Sequence, residues 1–282
     1  MLLQDLINGL ASAGIYILIA VGLTLILSIV GIVQMAHGEM YMLGAYFVYF
    51  CATSFKLNYF ASLIIAIIVV GLIGVVLERL FLRRFRGDVE GALICTVAFI
   101  LILQTAVKGI AGPSYKDIAS PVTGVVRIFG ARLSWESLLV IIVSIVLVLA
   151  LIFFIKGTRL GQAMVAISED LSGARLMGVN VDRVSAIAMF IGCGLAAAAG
   201  GLIGAIFSLD PFMGGTALTQ GITVIILGGL GSLPGAIAGG LMLGLIDGLI
   251  TPRVSPTVAS IIGLVLVMLI LLFRPKGLLG HE

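Results

Sequence analysis

The sequence predicts an all-α integral membrane protein, a polytopic bundle of eight or nine helical spans that includes broken or half helices. Three observations carry this expectation. Of the 282 residues, 61% are hydrophobic and only 10% charged, against about half and about a quarter in soluble domains. Apolar runs recur at residues 10–30, 61–77, 138–155, 184–209 and 258–273, each approaching or exceeding the ~20 residues that cross a ~30 Å hydrocarbon core. Glycine, at 37 residues, is nearly twice its ordinary share of about 7%.

Taken in order, spans are predicted at residues 10–30, 39–55, 58–78, 91–111, 135–155, 184–208, 219–231, 235–251 and 257–273. The opening "MLLQDLINGL" has no basic segment and contains Asp5, so the first run reads as a retained span rather than a cleaved signal. The seventh span is too short to cross as an ordinary helix and reads as a half-helix or a re-entrant piece, which leaves eight crossings open. Cys51, Cys95 and Cys193 lie in apolar segments at unrelated spacings and read as buried, reduced thiols. Small residues repeat every fourth position at Gly192, Ala196, Gly200 and Gly204, and again at Ala236, Gly240, Gly244 and Gly248. Each set lies on one helix face, where small side chains let backbones approach closely.

Basic residues set the orientation. They cluster at Arg79, Arg83, Arg84 and Arg86, at Lys156, Arg159, Arg175 and Arg183, and at Arg274 and Lys276. The positive-inside rule places all three clusters in the cytoplasm, with the N-terminus outside and the C-terminus inside. The segment 112–134 then falls outside. Its basic residues, Lys116, Arg127 and Arg132, are dispersed rather than clustered, and Lys108 can snorkel from the end of its span.

Two stretches read as helix, break, helix. The first is "GIVQMAHGEMYMLGAY", with Gln34, His37, Gly38 and Glu39; the second runs from residue 210 to 240 and includes Gly228, Gly229 and Gly231. Breaks at membrane depth are tolerated only inside protein or beside a water-filled cavity, and discontinuous helices commonly build transporter sites. In the first break, Gly38 is placed to end one piece and Glu39 to open the next, its carboxylate meeting a positive helix end, while His37 can bond a freed carbonyl. Two readings stay open: these residues seal the break, or they line a permeation path. On the second, Gly38→Leu blocks transport while leaving assembly intact.

The longest polar stretch, "KGTRLGQAMVAISEDLSGARLMGVNVDRV", reads as two short helical pieces. Ser168 is placed to cap the second, with Glu169 and Asp170 in its first turn. Gly178 followed by Val179 marks a Schellman stop, and Asn180 caps the next span with Asp182 in its first turn. Leu171, Ala174 and Met177 share a face that fits a partner groove or lies on lipid headgroups.

What the chain lacks narrows the function. There is no G-x-x-x-x-G-K-[ST], no dinucleotide fingerprint, no H-E-x-x-H and no G-x-S-x-G. The only histidine besides His37 is His281, so no metal-ligand cluster is expected. The chain therefore reads as a transport component without catalytic residues or cofactor of its own. Uphill movement would draw on a partner or an ion gradient.

Five stretches, "INGLASAGIYILIAVGLTLILSIVGIVQMAHGEMYMLGAY", "LERLFLRRFRG", "TRLGQAMVAISEDLSGARLMGVNVDRV", "VIILGGLGSLPGAIAGG" and "LLFRPKGLLG", follow one another in order and nearly end to end. Through them the chain resembles the permease of branched-chain amino acid ABC importers, the LivH type. The resemblance implies one transmembrane permease domain over residues 1–282, in the bacterial inner membrane. It implies a second homologous permease subunit, two cytoplasmic ATPase subunits that hold ATP and Mg, a periplasmic binding protein and surrounding lipid, with no role for nucleic acid. Residues 156–183 would form the cytoplasmic coupling loop, with Glu169, Asp170, Ala174, Arg175 and Gly178 toward the ATPase. Asp170, Ala174 and Gly178 depart from the E-A-A-x-x-x-G pattern of other importers, and Gln34 and Met35 stand where the family usually has Asn and Phe. Relatives serve leucine, isoleucine, valine, urea, short amides or aromatic acids. The expected cargo is a branched-chain or similar small amino acid. An autonomous channel or ion-coupled carrier is the alternative class.

Overall fold

A computed structural model describes residues 2–118, 124–128, 131–254, 256–274 and 277–279. Among the described residues, eleven α-helices follow one another: α1 (Leu2–Val30), α2 (His37–Ser54), α3 (Tyr59–Leu80), α4 (Val89–Ala111), α5 (Trp135–Gly157), α6 (Arg159–Glu169), α7 (Leu171–Leu176), α8 (Val181–Ile203), α9 (Met213–Gly228), α10 (Leu233–Ile250) and α11 (Pro256–Phe273). Each of the nine expected spans overlaps one of them, the seventh with its bounds displaced; α6 and α7 form the expected pair of short polar pieces. Among the described residues, six helices are long and apolar enough to cross a membrane by length and composition: α1, α3, α4, α5, α8 and α10. At 16 residues, α9 extends only ~24 Å, short of a ~30 Å core.

The sequence-based picture omitted one feature, a small antiparallel hairpin of β1 (Val125–Ile128) and β2 (Ala131–Ser134), with Val125 opposite Ser134. It leads directly into α5, whose first residues are capped by Ser134. On the same side, the chain after α4 is tied to the chain after α8 by paired backbone hydrogen bonds between Lys116 and Leu209. This side, with the start of α1, is called the N-terminal face below. The opposite side, with α6, α7 and the turn between α9 and α10, is the loop face.

The small-residue repeats explain how the bundle closes. α1 is the central helix, packed by α5, α8, α9 and α10. α10 runs antiparallel to it, and a Cβ added at Gly240, Gly244 or Gly248 would strike Ile17, Ala13 or Gly9 respectively. The contacts step by four along both helices, as one face of a helix requires. α8 uses its own repeat twice. Gly192 abuts the carbonyl of Gly22 in α1, and Gly200 abuts the carbonyl of Tyr41 in α2. Backbones this close gain dispersion contacts that lipid cannot match.

A buried charge fastens the loop face. Glu78, at the end of α3, is 1% exposed and receives Arg86 Nη2 at 2.6 Å. Arg86 and Arg83 also pair with Asp182, in the first turn of α8. The 3₁₀ turn at Leu82–Phe85 brings both arginines into place. Removing one partner of a buried pair leaves an uncompensated charge and costs about 3–5 kcal/mol. Arg86→Ala is therefore expected to lower the melting temperature of the purified protein sharply, and Arg86→Ala combined with Glu78→Leu to recover much of the loss.

Candidate functional site: a helix break at the centre of the bundle

α1 ends at Val30, and Gly31 turns the chain at φ +73°. The following residues run back along the bundle, so that α2 starts deep inside it. His37, the first residue of α2, is fully buried, and its ring N–H at Nε2 donates to the Ile19 carbonyl oxygen at 3.2 Å. Ile19 lies near the middle of α1. The expectation that Gly38 ends one helical piece and Glu39 opens another is corrected. Both residues sit inside the first turn of α2, whose cap position is Ala36. His37 likewise bonds a neighbouring helix rather than a carbonyl freed at the break.

A second helix starts at the same place. The first turn of α9 lies against the first turn of α2: a Cβ on Gly38 would strike the Gly214 carbonyl, and one on Gly214 would lie 2.8 Å from Glu39 Oε1. Two helix N-termini, each a partial positive charge, thus converge on the Glu39 carboxylate. Glu39 is 2% exposed, and its Oε1 accepts from Gln104 Nε2 of α4 at 2.9 Å. Gln34 is buried with its amide 3.9 Å from Cys193 Sγ. Gln34 Oε1, His37 Nδ1 and Glu39 Oε2 have no protein partner. This concentration of buried polar atoms in an apolar bundle is costly, which marks the break as more than a bend.

The geometry also changes what one obvious variant reports. Gly38→Leu would drive α2 away from α9, so it perturbs assembly as well as any path. Gln104→Leu is a cleaner probe of the carboxylate. Leaving this buried carboxyl group without its partner is expected to destabilise by about 1–3 kcal/mol, read as a lower melting temperature, whereas Glu39→Gln can still bond Gln104 and should lose less.

The remaining predicted residues lie elsewhere. Gly228, Gly229 and Gly231 form the tight turn from α9 to α10 on the loop face. Gly228 packs on Gly235, and Gly231 offers its carbonyl to Ser28 Oγ at 3.2 Å. The C-terminal tail closes over this turn through Leu278 N to Leu227 O and Leu279 N to Gly228 O, both 2.9 Å. Ser28 and Ile19 are about 14 Å apart along α1 at 1.5 Å per residue, so the two glycine-rich breaks do not form one cluster.

The polar stretch 156–183 is a braced projection. Thr158 caps α6 through Gly161 N at 3.0 Å. Met164 and Ile167 face inward, and Met164 and Ser168 lie beside Gly231 in a small cleft. The cap of α7 is Asp170, accepting from Ser172 N at 2.9 Å. Ser168, expected to hold that role, instead belongs to the last turn of α6 and bonds Val165 O. The Schellman stop is present: Gly178 has φ +82°, its N–H donates to Arg175 O, and Val179 N donates to Ala174 O. Asn180 caps α8 as expected. Ala174 is buried, whereas Glu169, Asp170, Arg175 and Gly178 are exposed. The exposed apolar tip is Leu176 and Met177, at 88% and 85%.

Sequence reasoning missed one group of side chains. Thr216, Thr219, Gln220 and Thr223 of α9 line a cleft with Asp247 of α10. The signal was present in "TALTQGIT", where polar residues fall at i, i+3, i+4 and i+7, and in the lone carboxylate of "LMLGLIDGLI".

This architecture is that of a multi-pass helical membrane permease, built from apolar helices around an interior polar break with a capped helix pair at one end. The chain belongs to the family of branched-chain amino acid transport system permease components, whose model matches residues 6–273. It is 34% identical, over 99% of its length and 96% of the relative's, to the high-affinity branched-chain amino acid transport system permease protein BraD of Pseudomonas aeruginosa. The identity and coverage are the same for LivH, the permease protein with the same description in Escherichia coli K12. A solved structure titled PsaBC from Streptococcus pneumoniae in complex with Fab shares the fold at a TM-score of 0.55 and 14% identity, over 95% of this chain and 91% of that one.

Proposed function

We propose that the chain is the membrane permease subunit of an ATP-binding-cassette importer that moves branched-chain or similar small neutral amino acids into the cytoplasm. It works beside a second homologous permease subunit, in the cytoplasmic membrane of a bacterium. Two ATPase subunits supply ATP and Mg chemistry from the loop face, and a periplasmic binding protein delivers cargo to the N-terminal face. The C-terminus is then cytoplasmic. The observation that carries this reading is the end-to-end family match. The projection of α6 and α7 supports it: a short helix capped at both ends, presenting Leu176 and Met177 to a partner.

The test is reconstitution. Vesicles holding this chain with the second permease and the ATPases are expected to accumulate leucine, isoleucine or valine only with ATP inside and binding protein outside. Urea, short amides and aromatic acids complete the substrate panel. Saturable uptake by this chain alone would instead establish a channel or ion-coupled carrier. Within that assay, Glu169→Lys is expected to weaken ATPase co-purification and uptake while insertion persists. It is cleaner than reversing Asp170, which also caps α7.

A further inference from the structure

Two clefts meet at one carboxylate. The first, about 430 Å³, opens at the N-terminal face and is lined by Gln4, Asn8, Ser12 and Thr251. The second, about 290 Å³, lies between α9, α10 and α11, with the four polar residues of α9 on one wall and Leu243, Ile246 and Leu264 on the other. Asp247 lines both. On α1, Gln4, Asn8, Ser12 and Tyr16 repeat every fourth residue, so they form one stripe, and Tyr16 Oη–H donates to Asp247 Oδ2 at 3.0 Å. Thr251 Oγ1–H donates to Oδ1 at 2.8 Å. Each carboxylate oxygen keeps a lone pair for another donor.

The α9 wall has a defined polarity. The hydroxyls of Thr216, Thr219 and Thr223 donate to backbone carbonyls of their own helix, at 2.8, 2.9 and 2.7 Å. Their remaining lone pairs are acceptors, as is the carboxylate. Gln220 adds an amide that both donates and accepts. Such a face, partly exposed at membrane depth, does not suit lipid. It suits a small polar molecule that brings several N–H donors, one acceptor group and an apolar body.

We propose that this cleft is a transport subsite for a zwitterionic amino acid. The α-ammonium sits at Asp247 among the threonine oxygens, the carboxylate at the Gln220 amide, and the aliphatic side chain on Leu243, Ile246 and Leu264. The stripe on α1 is its approach from the N-terminal face. The choice of ligand rests on the amino-acid reading above; the existence of an aqueous polar track does not.

The test uses the complete importer in vesicles. Thr219→Cys is treated with a membrane-impermeant thiol reagent, with the parent's three native cysteines as blank and Ile145→Cys on the exposed face of α5 as lipid-facing control. Thr219→Cys is expected to label, Ile145→Cys not, and leucine to slow the labelling of Thr219→Cys. The deaminated analogue 4-methylpentanoate should need a concentration about tenfold higher for equal protection, because it lacks the charged donor. Asp247→Asn is expected to raise the leucine requirement by a similar factor; the analogue comparison stands without it if that variant does not accumulate. An unreactive Thr219→Cys, or equal protection by both compounds, overturns the proposal. Absence of amino-acid uptake by the unmodified importer sinks the functional reading instead, while uptake without protection sinks only this site.

Discussion

Gly44→Leu is expected to leave almost no folded subunit in the membrane, whereas Gly109→Ala leaves yield and melting temperature unchanged. Gly44 sits where α2 crosses α8. A Cβ there would strike Ala197 Cα and the Ala197 carbonyl oxygen, and would lie 2.7 Å from its carbonyl carbon. The reciprocal contact is as tight, with Gly200 against the carbonyl of Tyr41. An overpacked core ordinarily costs about 1–3 kcal/mol because side chains shift. Here both sides of the contact are backbone, so only separation of the helices relieves it. Separation also strips cover from Gln34, His37 and Glu39, whose polar atoms would then face an apolar medium. The combined cost is comparable with a total stability of about 5–15 kcal/mol. At Gly109, by contrast, an added Cβ meets nothing within 4 Å. Detergent-extracted yield and thermal unfolding of the two variants make the comparison, and a well-folded Gly44→Leu would show that the crossing is not the fastening point.

Much of this architecture was legible because the bilayer imposes a simple code. Each predicted span falls on a helix, since apolar length is what crossing requires. The two small-residue repeats proved to be the α8 and α10 contact faces, because only small residues let helix backbones touch. The Schellman stop at Gly178 and the Asn180 cap were readable from local chemistry alone. What escaped was long-range or subtle. Nothing local to "QMAHGE" reveals that its helix would start against the start of α9, some 175 residues on, because that pairing is set by how α1 and α8 pack. α9 itself was placed too late, at 219–231 rather than Met213–Gly228. The glycines of "FMGGTAL" read as a break, yet the surrounding bundle holds them helical. Ser168 and Asp170 are both good caps, and choosing between them depends on where α6 ends. The α9 polar face and Asp247 were overlooked because apolar neighbours dilute them in any long window.

Replacing Leu176 and Met177 together by aspartate is expected to abolish ATP-driven uptake while leaving the subunit folded. Both side chains are almost fully exposed, so they contribute little to the subunit's own core. A six-residue helix is too short to be stable alone, so α7 holds its shape because Asp170 caps it and Gly178 stops it. An apolar pair presented so firmly has a use when a partner covers it. Burying one Leu or Met side chain is worth about 1.5–3 kcal/mol. On the proposed function, losing both is expected to weaken ATPase docking by at least about a hundredfold, before the added cost of burying two charges. Co-purification of the ATPases and leucine accumulation read the effect; the melting temperature of the permease is expected to stay put. Tight ATPase binding with normal uptake would mean that α7 is not the contact. The same construction shows how a push on α7 could reach the interior. α7 passes into α8 through Gly178 and the Asn180 cap, and α8 is clamped at its start by Arg83 and Arg86 on Asp182. Ten residues beyond Asp182 it carries Gly192, which packs against Gly22 of α1, and Gly22 in turn lies beside the His37 ring. A stiff helix held at one end and close-packed at its middle transmits displacement rather than absorbing it. The break at His37–Glu39 therefore lies at the inner end of the series of contacts that begins at the exposed tip.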